Sequence, residues 1–78
     1  MTNNSKNSSS LTTLVKINGE VKSIPQNISI LELLDLFKIN KNRVVIELNS
    51  KILKLDNYAS TTLNESDVIE IVTFVGGG

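Results

Sequence analysis

Residues 29–37, SILELLDLF, constrain the fold more than any other stretch. Ser29 and Glu32 have the spacing of a capping box, in which the serine hydroxyl accepts from the N3 amide and the glutamate reaches back to the cap amide. Ile30, Leu33, Leu34 and Phe37 follow at i, i+3, i+4, i+7 and form one apolar stripe, with Glu32 and Asp35 off it. The early acids also suit the positive end of a helix dipole. Asn40 is the expected left-handed stop, so the spacing predicts a helix over 30–38. A short helix with one apolar face needs a partner layer, and the segments on either side of it read as strands.

Thr12–Asn18 alternates and is rich in β-branched residues, with Val15 and Ile17 on one face. Asn18-Gly19 is a strong hairpin signal, because a type I′ turn needs positive φ at both central residues. Glu20–Ile24 returns, and Pro25, which cannot donate to a ladder, stops it. The register stays open. A two-residue loop pairs Ile17 with Glu20 and Val15 with Lys22, whereas a three-residue loop pairs Ile17 with Val21. That conflict suggests a twisted edge strand. Val44–Leu48 is a strand with Val44, Ile46 and Leu48 on one face and Val45 and Glu47 on the other. Asn49-Ser50 is a turn, and Lys51–Leu55 is a short strand or an extended segment. Asp56–Asn64 is irregular, with Tyr58 and Leu63 as anchors, and residues 64–67 form another turn. Val68–Val75 carries apolar groups on both faces, as an interior strand does.

The order β-β-α-β-(β)-β predicts an α+β fold: a mixed sheet of four or five strands with one main helix packed on one face, the last strand lying parallel beside the first. Residues 1–10 are polar and low in complexity and are expected to form a disordered tail. Residues 11–75 would be the domain, and residues 76–78 a flexible triglycine tail.

Composition removes whole classes of function. The 78 residues include no Cys, His or Trp, and eight basic side chains balance eight acidic ones. Disulfides, thiolate catalysis, the strongest zinc ligands and the usual proton shuttle near neutral pH are all missing. No metal and no bound cofactor are therefore expected. A neutral chain with scattered lysines has no electrostatic reason to seek nucleic acid or an anionic membrane. No apolar run approaches the ~20 residues of a membrane span, and Met1–Lys6 lacks the apolar core of a secretory signal. Phosphate-binding glycine motifs are absent too, so the chain is not expected to bind ATP itself. Glu32 and Asp35 read as solvated helix residues and Asp67 as a turn residue.

What remains is Gly76-Gly77-Gly78, which adds no core, cap or turn. A segment without Cβ atoms can thread, extended, through a channel as narrow as a backbone. The Gly78 carboxylate could then enter another protein's active site. A carboxylate is a poor acyl electrophile, and adenylation supplies a leaving group. Attack by a sulfur nucleophile then gives a C-terminal thiocarboxylate. With no Cys in the chain, the C-terminus is the position where sulfur could be carried. On the preceding strand, Ile69, Ile71 and Thr73 are assigned to the helix side, leaving Val68, Glu70, Val72 and Phe74 on the other face; the competing reading buries Phe74 under a neighbouring loop. Val72 and Phe74, with Glu70 and Val75 beside them, form a candidate partner-binding patch next to the tail.

The N-G-E hairpin, Pro25, the capped helix, Val44-Val-Ile-Glu-Leu-Asn49, Tyr58, Asp67-Val-Ile-Glu-Ile-Val72 and the ending Phe74-Val-Gly-Gly-Gly78 together resemble the ThiS sulfur carriers of thiamine biosynthesis, from about Leu14 to Gly78. The resemblance implies a ubiquitin-like β-grasp fold and a carrier rather than an enzyme. It implies three partners: an E1-like adenylyltransferase that activates Gly78 with ATP, a cysteine desulfurase or other sulfur donor, and thiazole synthase, which receives the sulfur. Gly77 and Gly78 correspond to the family's diglycine, and Gly76 extends it. Relatives commonly have Gly before the aspartate of the last turn, where this chain has Ser66, so that turn is expected to differ locally. Alternatives are the small subunit of molybdopterin synthase, a ubiquitin-like protein modifier joined through Gly78 to lysines, and a plain binding module with an inert tail. The abundance of Asn, Ile and Lys, with Ala59 the lone alanine, suggests an AT-rich genome, such as that of a plastid or a low-GC bacterium, so with no secretory signal the expected location is the cytoplasm, or the plastid stroma if organelle-encoded.

Overall fold

The computed structural model describes residues 11–74. The expectations for residues 1–10 and for Val75–Gly78 lie outside that range. Six elements follow in order: β1 (Thr12–Ile17), β2 (Glu20–Pro25), α1 (Ile30–Leu36), β3 (Val44–Leu48), β4 (Lys51–Leu53) and β5 (Val68–Thr73). The strands form one sheet in the order β2-β1-β5-β3-β4. β5 is central, parallel to β1 and antiparallel to β3. With α1 on one face this is the mixed five-stranded β-grasp arrangement that the sequence predicts.

Both hairpins close through two-residue loops whose residues all have positive φ. Asn18 and Gly19 take +50° and +86°, and Asn49 and Ser50 take +52° and +74°. The primed turn matches the strands' right-handed twist. It also settles the first register: Ile17 pairs with Glu20 and Val15 with Lys22. Buried Val15 and Ile17 are therefore opposed by exposed Lys22 and Glu20, and only Thr13 meets a buried partner, Ile24. An edge strand tolerates this because one neighbour and one layer of cover suffice. Pro25 is the last residue of β2 rather than the first beyond it, paired with Thr12.

The capping box forms as expected: the Glu32 amide donates to Ser29 Oγ at 3.0 Å, and the Ser29 amide donates to Glu32 Oε1 at 2.9 Å. The loop before β5 completes the helix start. The Ile30 amide donates to the Thr61 carbonyl at 2.9 Å and the Leu31 amide to the Tyr58 carbonyl at 3.0 Å, serving donors that have no partner within the helix. The helix stops earlier than expected, and on a different residue. Lys38, not Asn40, takes the left-handed conformation, at φ +61°. Its amide donates to Asp35 at 3.1 Å, and the Ile39 amide donates to Leu34 at 2.8 Å, the two bonds of a Schellman motif. The motif brings Ile39 against the core, and that apolar contact outweighs the lysine's local cost of roughly 1–2 kcal/mol. Asn40 instead caps the short 3-10 turn Lys41–Arg43 by accepting the Asn42 amide at 2.9 Å. Phe37 falls at the helix C-cap and stays on the rim, so burial along the stripe ends at Leu34.

The core packs Ile30, Leu33 and Leu34 of α1 onto Val15, Ile17, Ile46, Ile69 and Ile71 of the sheet. Tyr58 and Leu63 are buried anchors of the loop, as the sequence indicates. Burial pushes the Tyr58 phenol above its usual range, partly offset by a main-chain hydrogen bond with Ile46. The turn into β5 takes the left-handed form after all, with Ser66 at φ +72°. Four contacts hold it there. The Ser66 amide donates to the Leu14 carbonyl at 2.8 Å. The Asn64 amide donates to Asp67 Oδ2 at 2.8 Å. The Glu65 carboxylate accepts from the Thr13 hydroxyl and, at 3.0 Å, from the Leu14 amide. Those donors hold the Glu65 carboxyl below the ordinary carboxylate range.

Candidate functional site

β5 leads to the C-terminus, and its two faces differ as the alternation predicts. Ile69 and Ile71 are buried beneath α1. On the opposite face Val72 is 57% exposed and Phe74 45% exposed, with Val68 and Glu70 also exposed. Thr73 is exposed as well, so burial on the helix side ends at Ile71. β5 ends at Thr73, short of the Val75 expected from the sequence, although the Phe74 amide still donates to the Arg43 carbonyl at 3.0 Å. Val75, Gly76, Gly77 and Gly78 lie outside the described residues.

The register with β3 extends the open face sideways. Val45 stands opposite Val72, and Glu47 opposite Glu70, with Ile52 of β4 next to Glu47. Val45 is 39% exposed. It widens the patch to which the sequence reading assigned Val72, Phe74, Glu70 and Val75. Alternation had already put Val45 and Glu47 on one face, but only the pairing shows which β5 residues they meet. Two carboxylates directly opposite each other repel. Among the described residues the ion pair is Lys22–Glu20, at 3.3 Å, far from them on β2. At the end of the strand the charge changes sign. A shallow cleft of about 410 Å³ beside Phe74 is lined by Ile39, Val44 and Thr73 together with Lys38 and Arg43. The open face therefore combines exposed apolar side chains with an acidic pair, and the strand end beside it carries the basic cleft, the mixture of a protein-recognition surface.

Asn18 has a role that sequence reading missed. Its side chain reaches from the first hairpin to β5, where Oδ1 accepts the Ile71 amide at 2.7 Å and Nδ2 donates to the Ile71 carbonyl at 3.2 Å. Asn49 acts similarly at the other end of β5, accepting the Val68 amide at 2.9 Å and donating to Asp67 Oδ1 at 3.0 Å. Both residues are fully accounted for as turn formers, so nothing local marks the second function.

Among the described residues no group of three or more acidic side chains converges to hold a metal ion, and no helix is long and apolar enough to cross a membrane.

Comparison with known proteins agrees with this layout. The model of the ThiS family matches residues 15–78. "Uncharacterized protein ycf40" of Porphyra purpurea is 39% identical over 64 residues, covering 82% of this chain and 90% of that protein. "Sulfur carrier protein ThiS" of Bacillus subtilis is 36% identical over 66 residues, covering 83% of this chain and 100% of that protein. A "Thiazole synthase" of Paramagnetospirillum magneticum is 34% identical over 62 residues, covering 80% of this chain but 19% of that longer protein. The crystal structure of the thiamine biosynthesis protein ThiS from Geobacter metallireducens superposes with a TM-score of 0.74 at 28% identity, covering 85% of this chain and 100% of that one.

Proposed function

The chain belongs to the ThiS family, the sulfur carriers of thiamine biosynthesis, and we propose that the Gly78 carboxyl is the group that carries the sulfur. The observation that carries this reading is a family match that runs through Gly78 in a chain with no cysteine. The carboxylate oxygen of Gly78 attacks the α-phosphorus of ATP on an adenylating enzyme, and pyrophosphate leaves. The persulfide of a cysteine desulfurase or another donor then attacks the acyl carbon and AMP leaves, and a thiol attacks the resulting acyl disulfide, forming a disulfide on the donor and releasing the acyl-bound sulfur. The product, a C-terminal thiocarboxylate, is a nucleophile at neutral pH and gives its sulfur to thiazole synthase. The relative named thiazole synthase supports that last step, since it holds a segment similar to this chain within one polypeptide.

The fold supplies the handle for this cycle. Four residues follow Phe74, and an extended chain covers at most about 3.6 Å per residue, so Gly78 lies within about 15 Å of Phe74. An enzyme that takes Gly78 into its active site must therefore press against the end of β5. Val72, Phe74 and Val45 are the exposed apolar groups there, with Glu70 beside them, and they form the proposed docking patch. Gly76 and Gly77 pass through the enzyme's channel, whose width excludes side chains.

Intact-mass analysis tests the reading. Given ATP, the adenylating enzyme and a sulfur source, the protein gains the mass of one oxygen-to-sulfur exchange, and fragmentation places it on Gly78 rather than on an oxidised Met1. An unmodified Gly78 overturns the reading. So does sulfur transfer to a molybdopterin precursor with none to thiazole. Gly77→Val folds normally and is not activated; normal thiocarboxylate formation in that variant removes the narrow channel.

A further inference from the structure

Residue parity decides which neighbour each β5 residue serves. The Phe74 amide donates to the Arg43 carbonyl at 3.0 Å and the Asn49 amide to the Val68 carbonyl at 2.7 Å. With Val45 opposite Val72 and Glu47 opposite Glu70, the even-numbered residues of β5 turn their main-chain groups toward β3. The odd-numbered residues turn theirs toward β1, because successive residues of a strand alternate in this way.

On the β1 side the partners run out in order. The Lys16 amide donates to the Asp67 carbonyl, and the Asn18 amide to the Ile69 carbonyl, each at 2.9 Å. β1 ends at Ile17, and the Asn18 side chain carries the pairing one step further by bonding both main-chain groups of Ile71. Thr73 is the next odd residue. It is exposed, its N–H and C=O face the same side, and no described residue meets them. An unpaired donor and acceptor on a strand edge form a template for another extended chain.

We propose that the main chain of Thr73 is a pairing edge for an extended segment of the enzyme that takes up the tail, and that Asn18 sets where this edge begins. The inference rests on the carrier reading and adds to the side-chain patch a backbone contact on the tail's own strand. Position argues for this occupant. Gly78 is within about 15 Å of Phe74, so the enzyme that receives it is already beside Thr73. The outer edges of β2 and β4 are each two strands from β5, roughly 10 Å away at ordinary strand spacing. β2 also carries Pro25 and the Lys22–Glu20 pair, features that discourage pairing.

The test compares amide exchange and binding in the full chain with its adenylating enzyme. In the free protein the Thr73 amide exchanges much faster than those of Ile71 and Phe74, which are bonded. In the complex it becomes protected. Thr73→Pro removes an amide that has no partner among the described residues, so the variant folds but binds about tenfold more weakly, the effect of leaving a partner carbonyl unsatisfied. Thr73→Ala, which keeps the amide, binds like the parent. If Thr73→Pro does not fold, protection of the wild-type Thr73 amide in the complex decides alone. The proposal is overturned if that amide exchanges equally fast with and without the enzyme, if folded Thr73→Pro binds normally, or if a second copy of the chain protects Thr73 without enzyme. Failure of the carrier reading would look different: Gly78 would gain no sulfur, whatever happens at Thr73.

Discussion

The two ends of β5 are held in different ways. At the entry, Asn49, Asp67, Glu65 and Ser66 interlock through side-chain and main-chain bonds to β1 and to the second hairpin. At the exit, the Asn18 side chain grips Ile71 on one side and Arg43 receives Phe74 on the other. The hairpin asparagines are near duplicates, each at positive φ and each accepting a β5 amide. Their positions differ: Asn49 reinforces a crowded turn, while Asn18 is the last tie on its side of the strand. The entry is built to fix register, and the exit leaves both the open face and one edge of the strand available.

The largest test of this contrast uses burial. Ile69→Ala, in the fully buried entry half, should cost about 2–5 kcal/mol, whereas Val72→Ala on the open face should cost under about 0.5 kcal/mol, both measured by urea denaturation. Equal costs would erase the distinction. Next come the asparagines, replaced by glycine so that positive φ is kept. Asn49→Gly loses two hydrogen bonds and should destabilise by about 1–2 kcal/mol. Asn18→Gly also loses two hydrogen bonds, should cost a similar amount, and should accelerate amide exchange at Ile71 without affecting Val68. Acceleration at Val68 instead would show that the ends are not independent.

Two smaller changes probe the entry turn. Ser66→Gly removes a side chain from a left-handed position and should stabilise by about 0.5–1 kcal/mol, read as a higher denaturation midpoint. The Glu65 carboxyl titrates lower when folded than when unfolded. Its contribution is therefore complete above the ordinary carboxylate pKa and disappears as pH falls through the lower folded value. Glu65→Gln should flatten the acid limb of the stability profile by lowering stability at neutral pH, while at low pH, where the parent carboxyl is protonated, the two should differ little. An unaltered acid limb would detach Glu65 from the turn.

Much of this was legible because the signals are local. Ser29 and Glu32 announce a helix start within four residues, and Asn18-Gly19 announces a turn within two. The β1–β2 register was not, because Val21 and Lys22 offer conflicting partners for a buried strand and the resolution lies in β2 being an edge. The helix stop was misplaced for a related reason. Asn40 is the better left-handed residue in isolation, but the contact that decides is Ile39 against the core. The exposed face of Val72 and Phe74 followed from simple alternation. That no described residue meets the main-chain groups of Thr73 did not, since it depends on where a strand far away in sequence stops and on an asparagine side chain that reaches past it.

Placing the outgoing strand in the middle of the sheet has a mechanical consequence. Any enzyme that draws the terminal glycines into a channel puts tension on β5 along its own axis. The ladders on either flank then bear that tension in shear, many bonds at once, instead of unzipping from a border. A pull on that end is thus resisted by both flanks of the sheet together.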